Sequence, residues 1–334
     1  MRKVLVLGGT AWLGHELAEQ LMANGDDVTC LARGESGQPP TGIRFVHSDR
    51  TSAEPYTAVA GQQWAEIIEL AYEPALVVGA LRALAATAEH WTLISSVSVY
   101  ASNTDPGADE SAAVLQPLDL KDYGQAKAAA EIATQQAVGD RLLIVRPGLI
   151  AGPGDGSDRF SYWVSRFALA KNEPVLTPVT EGRAVQVIDV QDLATWIVSA
   201  GREGLTGVYN ATGDQHSLTE VLDLAADVAG FAGSMISAPD DWLLRNDVHY
   251  WAGPRSLPLW LPEPDVPLAQ RDNAAFHAAG GLLSDLRQTL LRTLQDEQQR
   301  GLTRERRSGL TRDEELKLLD QFATDTTSAT TPVD

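Results

Sequence analysis

A glycine-rich turn close to the N-terminus constrains the fold of this chain more than any other feature. Four apolar residues, Val4–Leu7, precede the turn, residues 8–14 read Gly-Gly-Thr-Ala-Trp-Leu-Gly, and a helical stretch continues to Asn24. The pattern predicts a buried strand, a tight turn and a helix whose first N–H groups point at the turn. Glycines allow a backbone to approach a phosphate closely, so the turn suits a dinucleotide pyrophosphate, although a plain strand–helix turn looks the same locally. Ala11 occupies the place of the middle glycine of the usual motif.

Short apolar runs alternate with helical stretches through the first half of the chain. Such repeated strand–helix–strand units predict an α/β fold with a doubly wound parallel sheet covered by helices on both faces. The predicted strands are Val4–Leu7, Val28–Leu31, Arg44–His47, Ile67–Leu70, Thr92–Ser95, Leu142–Arg146, Val185–Ile188 and Gly207–Asn210. The predicted helices of this half are Ala11–Asn24, Pro74–Glu89, Tyr123–Val138 and Gln191–Gly201.

The regular alternation of predicted strands and helices ends after Gly207–Asn210, which predicts two domains. We expect a dinucleotide-binding domain over residues 1–150, to which 185–212 return. A smaller C-terminal substrate lobe covers 151–184 and 213–322, and a disordered tail covers 323–334. Residues 239–267 hold six of the 17 prolines and three of the eight tryptophans, which predicts an ordered, packed loop. The sequence leaves open whether this loop covers the active site or binds a partner.

Composition excludes several classes of function. The 334 residues include 45 Asp and Glu against 26 Lys and Arg, and the formal net charge of −19 argues against nucleic-acid binding. No apolar run reaches the roughly 18 residues that a membrane span needs, and the first apolar run is too short for a signal peptide. The single cysteine, Cys30, excludes an internal disulfide and favours a cytoplasmic protein. The histidines lack metal-ligand spacing, so we expect no metal. With nucleic acid and membrane excluded, we expect a small-molecule substrate.

The residues after the second and third strands bear on the cofactor. NAD sites usually carry a carboxylate after the second strand for the ribose 2′-hydroxyl, but this chain has Ala32 and Arg33 there. A guanidinium suits a 2′-phosphate, so NADP(H) is favoured and NAD(H) stays open; a solvated surface arginine is the alternative. Asp49, after the third strand, fits either an acceptor for the adenine amino group or the cap of its own loop.

A tyrosine and a lysine lie four residues apart at the start of a predicted helix. Tyr123 and Lys127 therefore share a helix face, and an ammonium beside a phenol stabilises the tyrosinate. This brings an acid with a reference pKa of about 10 toward proton transfer near neutral pH. A serine hydroxyl at the end of the strand Thr92–Ser95 would polarise a substrate oxygen as charge develops on it. The tyrosine–lysine spacing is common by chance, but together with this serine and this fold it predicts a catalytic site.

Seven segments occur in an order that resembles the extended, epimerase/dehydratase-like branch of the short-chain dehydrogenase/reductase superfamily. They are Gly8–Gly14, Ser95–Tyr100, Asp109–Glu110, Tyr123–Lys127 with Glu131, Arg146–Gly148 with Gly152–Asp155, Gln186–Leu193 and Tyr209–Gly213. The resemblance covers about residues 1–225 and implies a Rossmann-type fold. Homodimers are common in the superfamily, so the resemblance is compatible with a homodimer.

The resemblance also implies roles for individual residues. Tyr123 would be the acid/base, Lys127 its partner and ribose anchor, and Ser96 the hydroxyl that holds the substrate, with Ser95 and Ser98 as alternatives. Pro147 and Gly148 would border the nicotinamide and Ala71 the cofactor ribose. The expected cofactor-binding residues are Gly8, Gly9, Thr10, Trp12, Leu13, Gly14, Arg33, Asp49, Ala71, Ser95, Lys127, Pro147 and Gly148.

Departures from the branch bear on the substrate. Val97 and Ser98 stand where sugar-nucleotide dehydratases usually carry Asp-Glu, which disfavours 4,6-dehydration. Leu149 stands where sugar-nucleotide members often have an asparagine for the diphosphate, which makes such a substrate less expected. The candidate substrate-contacting residues are Ser98, Leu149, Arg159, Trp163 and Gln186. Arg159 and Trp163 fit packing of a lobe helix equally well.

These departures favour one function over two others. We expect an NADP(H)-dependent oxidoreductase that transfers hydride to or from a carbonyl or alcohol of a small molecule. An NAD-dependent sugar or nucleotide-sugar epimerase is the first alternative. A non-catalytic, NADP-sensing or RNA-binding relative is the second, and the complete serine, tyrosine and lysine set opposes it.

Overall fold

The computed structural model describes residues 1–329, and its contacts divide the chain into two compact units. Unit 1 comprises Met1–Ile150, Gln186–Asp214 and Gln270–Leu283. Unit 2 comprises Ala151–Val185, Gln215–Ala269 and the chain from Ser284 onward.

The elements follow one another in alternating order. The strands are β1 (Lys3–Leu7), β2 (Asp27–Ala32), β3 (Arg44–His47), β4 (Glu66–Glu69), β5 (Trp91–Ile94), β6 (Leu142–Pro147), β7 (Leu149–Ala151), β8 (Val175–Pro178), β9 (Ala184–Asp189), β10 (Gly207–Ala211), β11 (Gln215–Ser217), β12 (Met235–Ala238), β13 (His249–Trp251) and β14 (Ser256–Pro258). The helices are α1 (Trp12–Ala23), α2 (Pro74–Leu84), α3 (Tyr123–Val138), α4 (Ser161–Ala170), α5 (Val190–Glu203), α6 (Leu218–Ala229), α7 (Asp240–Arg245), α8 (Ala274–Ala278), α9 (Leu286–Arg300) and α10 (Arg312–Ala329). Short 3₁₀ turns span Ala85–Thr87, Val97–Val99, Gly139–Arg141 and Glu263–Ala269.

Unit 1 is built on a seven-stranded sheet with the order β10-β6-β5-β4-β1-β2-β3. All its neighbouring strands pair in parallel, which confirms the predicted doubly wound α/β fold. Side chains alternate across the sheet, so Val4 and Val6 pack into one core cluster and Leu5 and Leu7 into the other. Helices α1 and α5 cover the first face, and α2 and α3 cover the second.

The parallel register brings the carboxyl ends of the strands to one edge of the sheet. Leu7, the last residue of β1, lies opposite Leu31 of β2 and Glu69 of β4. Ile94, the last residue of β5, lies opposite Val145 of β6. Ligands of open α/β sheets bind outside this edge, where the strand order reverses. The candidate residues that follow β1 to β6 are therefore neighbours in space despite their separation in sequence.

The helix predicted over 74–89 is shorter in the structure. Helix α2 ends at Leu84 and gives way to a 3₁₀ turn, because Ala88 is extended and pairs with Trp64 in an isolated parallel bridge. A helical stretch cannot offer its backbone to a neighbouring strand, so the bridge ends it.

The segment 270–283 falls in the substrate lobe by sequence, whereas the structure assigns it to unit 1. The aromatic ring of Phe276 is fully buried, with its centroid 5.0 Å from that of Trp196 on α5. The Trp196 indole N–H donates to the Ala279 carbonyl at 3.0 Å. Burial of this aromatic pair holds the segment against the sheet domain.

Unit 2 packs α4, α6 and α9 together and pairs β8 with β12 in parallel. The proline- and tryptophan-rich segment 239–267 is packed within this unit, but it is not the loop that the sequence predicts, because it contains α7, β13, β14 and the 3₁₀ turn Glu263–Ala269. The ring of Trp260 is fully buried, and its centroid lies 3.9 Å from that of the tilted Tyr250 ring. Its indole N–H donates to Asp240 at 3.1 Å. Trp242 packs edge-on against Phe322 at 4.8 Å.

The predicted disordered tail begins at residue 323, but α10 continues to Ala329. The Trp242 indole donates to Asp325 at 2.9 Å, and the Thr324 hydroxyl donates to the Asp320 carbonyl at 2.9 Å. These bonds stabilise a turn whose sequence shows almost no apolar residue to bury. Residues 330–334 of the predicted tail lie outside the described residues.

Candidate functional site

The glycine-rich turn requires its glycines for space. Gly8 has φ of +101°, in the region that favours glycine. A Cβ on Gly9 would lie 2.4 Å from the Cys30 Sγ, and a Cβ on Gly14 would lie 2.4 Å from the Gly8 carbonyl oxygen. Ala11 occupies the N-cap of α1 and provides no side-chain cap. The turn thus presents close-packed backbone at a helix N-terminus, which fits a pyrophosphate.

A cleft of about 560 Å³ opens at the carboxyl ends of β1 to β4. This volume lies within the usual range for cofactor sites of about 300–1,000 Å³. Five predicted cofactor-binding residues line it: Gly8, Thr10, Arg33, Asp49 and Ala71. The other predicted cofactor-binding residues do not line it: Gly9, Trp12, Leu13, Gly14, Ser95, Lys127, Pro147 and Gly148.

Two side chains at this cleft have partners within the protein. The Arg33 Nη2 lies 3.2 Å from the Glu35 Oε2, and both side chains are exposed. The Asp49 Oδ1 accepts hydrogen bonds from the Thr51 N–H at 2.9 Å and from the Thr51 hydroxyl at 2.7 Å. These two bonds lower the pKa of Asp49, and they are the loop-capping arrangement that the sequence left open. Glu35 lies three residues beyond β2, and sequence reasoning missed it.

Lys127 is buried on α3, with 3 % of its surface exposed. Its Nζ donates to the Ile94 carbonyl at 2.5 Å and points at the Ala71 carbonyl at 3.4 Å. Burial disfavours the charged ammonium and lowers the pKa of Lys127 to about 8. Three nearby carboxylates oppose this shift: Glu69, Glu73 and Glu131.

Tyr123 begins α3, where Asp122 caps the helix by accepting from the Gln125 N–H at 2.9 Å. The Tyr123 side chain is 45 % exposed, and its ring centroid lies 5.3 Å from that of Tyr72. Tyr72 directly follows Ala71 and also lines the cleft, yet sequence reasoning did not select it.

The predicted serine lies beside the start of α3. A Cβ on Gly124 would lie 2.3 Å from the Ser98 carbonyl oxygen, so the helix start abuts the segment after β5. Ser96 caps the 3₁₀ turn Val97–Val99, where its Oγ accepts from the Ser98 N–H at 3.1 Å. The same Oγ donates to the Ser98 Oγ at 3.1 Å. The start of α3, which carries Tyr123, therefore abuts the 3₁₀ turn that Ser96 caps.

Ser95 points into a buried polar network instead. Its Oγ donates to the Glu131 Oε1 at 2.5 Å. Glu131 accepts two bonds from Arg146, at 2.9 and 2.7 Å, and Arg146 donates to the Tyr100 hydroxyl at 3.0 Å. Tyr100 donates in turn to the Asn210 side-chain oxygen at 2.6 Å. The network engages the Ser95 hydroxyl in the interior, so of the three candidate serines Ser96 and Ser98 lie outside this network.

The predicted substrate residues have different surroundings. Leu149 is buried in β7, and Gln186 spans the Arg271 backbone, donating to its carbonyl at 2.8 Å and accepting from its N–H at 3.1 Å. Trp163 is buried in unit 2, where its indole donates to the Pro258 carbonyl at 2.7 Å. The Arg159 guanidinium lies 5.2 Å from the ring centroid of Trp251. Gln186 and Trp163 are thus engaged in packing contacts.

Two findings on the described residues, 1–329, concern other kinds of site. No three His, Cys, Asp or Glu side chains in this part of the chain come together as metal ligands. No helix among these residues is both long enough and apolar enough to cross a membrane.

Comparison with known proteins decides the family. The model of the NAD dependent epimerase/dehydratase family matches residues 4–212. The chain belongs to this family. The match confirms the resemblance to the extended branch that the motifs indicated, and it reaches every strand of the seven-stranded sheet of unit 1.

This epimerase/dehydratase family member is similar in sequence to a reductase and a dehydrogenase, and similar in structure to an epimerase. It is 34 % identical over 137 residues to ceramide reductase of Caulobacter vibrioides, which covers 40 % of this chain and 41 % of the relative. It is 26 % identical over 311 residues to dTDP-6-deoxy-L-talose 4-dehydrogenase (NAD(P)(+)) of Kitasatospora kifunensis. This match covers 80 % of this chain and 97 % of that relative. The structure resembles UDP-glucose 4-epimerase of Thermus thermophilus in complex with NAD, with a TM-score of 0.66 and 19 % identity over 89 % of this chain and 99 % of that one. At this identity the structural likeness shows the fold alone.

Proposed function

We propose that this family member is an NADP(H)-dependent oxidoreductase that reduces a carbonyl or oxidises an alcohol on a small molecule. One observation carries the proposal. The buried ammonium of Lys127 lies one helical turn from the half-exposed phenol of Tyr123, at the edge of the sheet where ligands of such folds bind.

The chain's own residues supply the proton chemistry of this reaction. In the reducing direction Tyr123 donates its hydroxyl proton to the substrate oxygen, and the Lys127 ammonium stabilises the tyrosinate that remains. The Ser96 hydroxyl donates a hydrogen bond to the same oxygen as negative charge develops on it. A nicotinamide bound nearby would supply the hydride, or accept it in the oxidising direction. Because the pKa of Lys127 is about 8, the ammonium dominates at neutral pH.

The residues present fit a dinucleotide cofactor. The close-packed turn of Gly8, Gly9 and Gly14 would hold the pyrophosphate against the α1 N-terminus. Arg33 lines the adjoining cleft and would bind a 2′-phosphate, which supports the preference for NADP(H). Glu35 opposes this preference, since a phosphate must displace it from Arg33.

Net oxidation or reduction is supported over epimerisation by two observations. The two curated relatives have names of oxidoreductases, a ceramide reductase and a dTDP-6-deoxy-L-talose 4-dehydrogenase. Leu149 stands where sugar-nucleotide members often have an asparagine for the diphosphate, which disfavours a nucleotide-sugar epimerase, and Val97 with Ser98 separately disfavours 4,6-dehydration. An epimerase would retain NAD through purification, whereas this proposal predicts exchangeable NADP(H).

The Tyr123→Phe variant tests the proposal. NADPH oxidation is followed with a panel of aromatic, aliphatic and sugar-derived carbonyl compounds, and NADPH binding is measured by calorimetry. We expect turnover to fall by about 10²- to 10⁴-fold while the Kd for NADPH stays within about threefold. Tyr209→Phe is the matched control, because it removes only an exposed hydroxyl that donates to the Thr206 carbonyl at 3.3 Å. Full turnover by Tyr123→Phe would refute the assignment.

A further inference from the structure

A buried ion pair underlies the cofactor cleft. Glu69, the last residue of β4, has 0 % of its surface exposed. The Arg50 Nη1 lies 2.8 Å from the Glu69 Oε1, and the Arg50 Nη2 lies 2.5 Å from the Glu69 Oε2. A carboxylate is costly to bury in a parallel sheet unless it is paired and hydrogen-bonded. A fully buried carboxylate at the carboxyl end of β4 therefore needs specific partners.

The pair connects three elements of the candidate site. Arg50 lines the cleft and also donates to the Leu76 carbonyl on α2 at 2.9 Å and to the Tyr56 hydroxyl at 3.0 Å. On the other side, the Glu69 Oε1 accepts from the Ala71 N–H at 2.9 Å. The Ala71 carbonyl then faces the Lys127 Nζ. Glu69 thus fixes both the cleft and the turn against which the ammonium lies.

We propose that Glu69 is a positioning residue of the hydride-transfer site, which holds the Ala71 turn so that this turn orients both the Lys127 ammonium and the cofactor. The inference rests on the proposed function, since the orientation of Lys127 matters only where Tyr123 transfers a proton. An apolar residue in place of Glu69 would break this link, because the Ala71 N–H and Arg50 would both lose their acceptor.

The charges around Lys127 decide what the loss of Glu69 does. Carboxylates face the ammonium from three elements, namely Glu69 at the end of β4, Glu73 at the start of α2 and Glu131 on α3. Glu131 is paired with Arg146, and Glu73 is exposed and therefore screened by solvent. Removing the Glu69 charge also leaves Arg50 uncompensated. Both effects disfavour the ammonium, so the pKa of Lys127 falls below its value of about 8.

Titration of Lys127 tests the proposal without any substrate. The chain has five lysines, which are Lys3, Lys121, Lys127, Lys171 and Lys317, so NMR of isotopically labelled lysine side chains resolves each one. Loss of one resonance in Lys127→Arg assigns the signal. We expect Glu69→Gln to lower the pKa of Lys127 by about one unit or more, and to raise the Kd for NADPH by about fivefold or more.

Two further variants keep the test decisive. Arg50→Met with Glu69→Leu removes both charges, so it avoids an uncompensated guanidinium if the single variant unfolds, and it removes the oxygen that accepts from the Ala71 N–H. We expect the double variant also to bind NADPH about fivefold or more weakly. Glu19→Gln is the matched control, because the Glu19 carboxylate is exposed on α1, does not line the cleft and is not among the charges that act on Lys127.

The outcomes separate this proposal from the proposed function. An unchanged Lys127 pKa in Glu69→Gln, or an unchanged Kd for NADPH in both Glu69 variants, would overturn the positioning role. Full turnover by Tyr123→Phe, with the Glu69 effects present, would instead overturn the proposed proton transfer and leave the effect of Glu69 on Lys127 standing.

Discussion

The Lys127 ammonium lies 2.5 Å from the carbonyl oxygen of Ile94, the last residue of β5. The charged side chain of a helix residue thus contacts the end of a strand, and neither residue belongs to a surface loop. Because Tyr123 lies one turn earlier on the same helix, the spacing of phenol and ammonium is set by the backbone of α3. The proposed proton-transfer pair therefore lies on regular secondary structure of unit 1.

Burial of Lys127 predicts a specific pH dependence of stability. Its pKa is about 8 in the folded protein against an ordinary value of 10.5, so between these values the unfolded chain holds more protons. The free energy of unfolding therefore rises with pH in this window, by up to about 1.4 kcal/mol per unit. We predict that, in urea unfolding, the free energy of unfolding of the wild type rises relative to that of Lys127→Met between pH 8 and 10.5. Below about pH 7 the difference between the two proteins should stay constant. Parallel curves throughout would contradict the burial of the charge.

The glycine-rich turn predicts a sharp difference between two glycine variants. A Cβ on Gly14 would lie 2.4 Å from the Gly8 carbonyl oxygen, whereas a Cβ on Gly61 meets nothing within 4 Å. We predict that Gly14→Ala lowers the free energy of unfolding by about 1–3 kcal/mol and weakens NADPH binding about tenfold or more. Gly61→Ala should leave both unchanged in denaturation and calorimetry. Equal behaviour of the two variants would argue against the turn as the pyrophosphate site.

Cofactor preference depends on Arg33 and Glu35. If Arg33 binds a 2′-phosphate, Arg33→Ala loses a charge-assisted hydrogen bond worth about 1.5–3 kcal/mol, which is a loss of about 10- to 100-fold in NADPH affinity. NADH lacks the phosphate, so its affinity should change little. Glu35→Gln should strengthen NADPH binding, because Arg33 is released from its 3.2 Å contact. Parallel losses for both cofactors in Arg33→Ala would show that Arg33 does not select between them.

The network behind Ser95 predicts a large stability effect. Glu131 accepts from Ser95 and pairs twice with Arg146, and both charged groups are buried. Glu131→Gln leaves Arg146 without its counter-charge, so we predict a loss of about 3–5 kcal/mol in the free energy of unfolding. Glu19→Gln is the control, since Glu19 is 53 % exposed beside His15 and should cost less than about 0.5 kcal/mol. A small effect in Glu131→Gln would mean that the network is dispensable.

Sequence patterns predicted the fold of unit 1 well because the physics there is local or periodic. Buried strands such as β1 are continuous apolar runs, and a parallel sheet then follows from the intervening helices. The strand ends place the candidate residues at one edge without further information. The same reasoning selected Tyr123 and Lys127, whose shared face needs only helical spacing.

The features that sequence reasoning missed depend on tertiary pairing. Glu69 ends the buried strand β4, and nothing in the sequence shows that Arg50 neutralises it. Glu35 is identified as a candidate site residue only by its contact with Arg33, and Tyr72 only by its ring contact with Tyr123. Segment 270–283 joins unit 1 through the ring contact of Phe276 with Trp196 and through hydrogen bonds such as those of Gln186 with the Arg271 backbone, and such contacts have no periodic signature.

Transfer of deuteride from NADPH that carries deuterium at both C4 positions tests the central claim most directly. The labelled cofactor is incubated with a carbonyl compound that the wild type reduces, and the product is analysed by mass spectrometry. We predict that one deuterium appears on the carbinol carbon in the wild-type product, and that Tyr123→Phe forms this product about 10²-fold or more slowly. A product that carries no deuterium, or an isomerised sugar formed while the label stays on the cofactor, would contradict it.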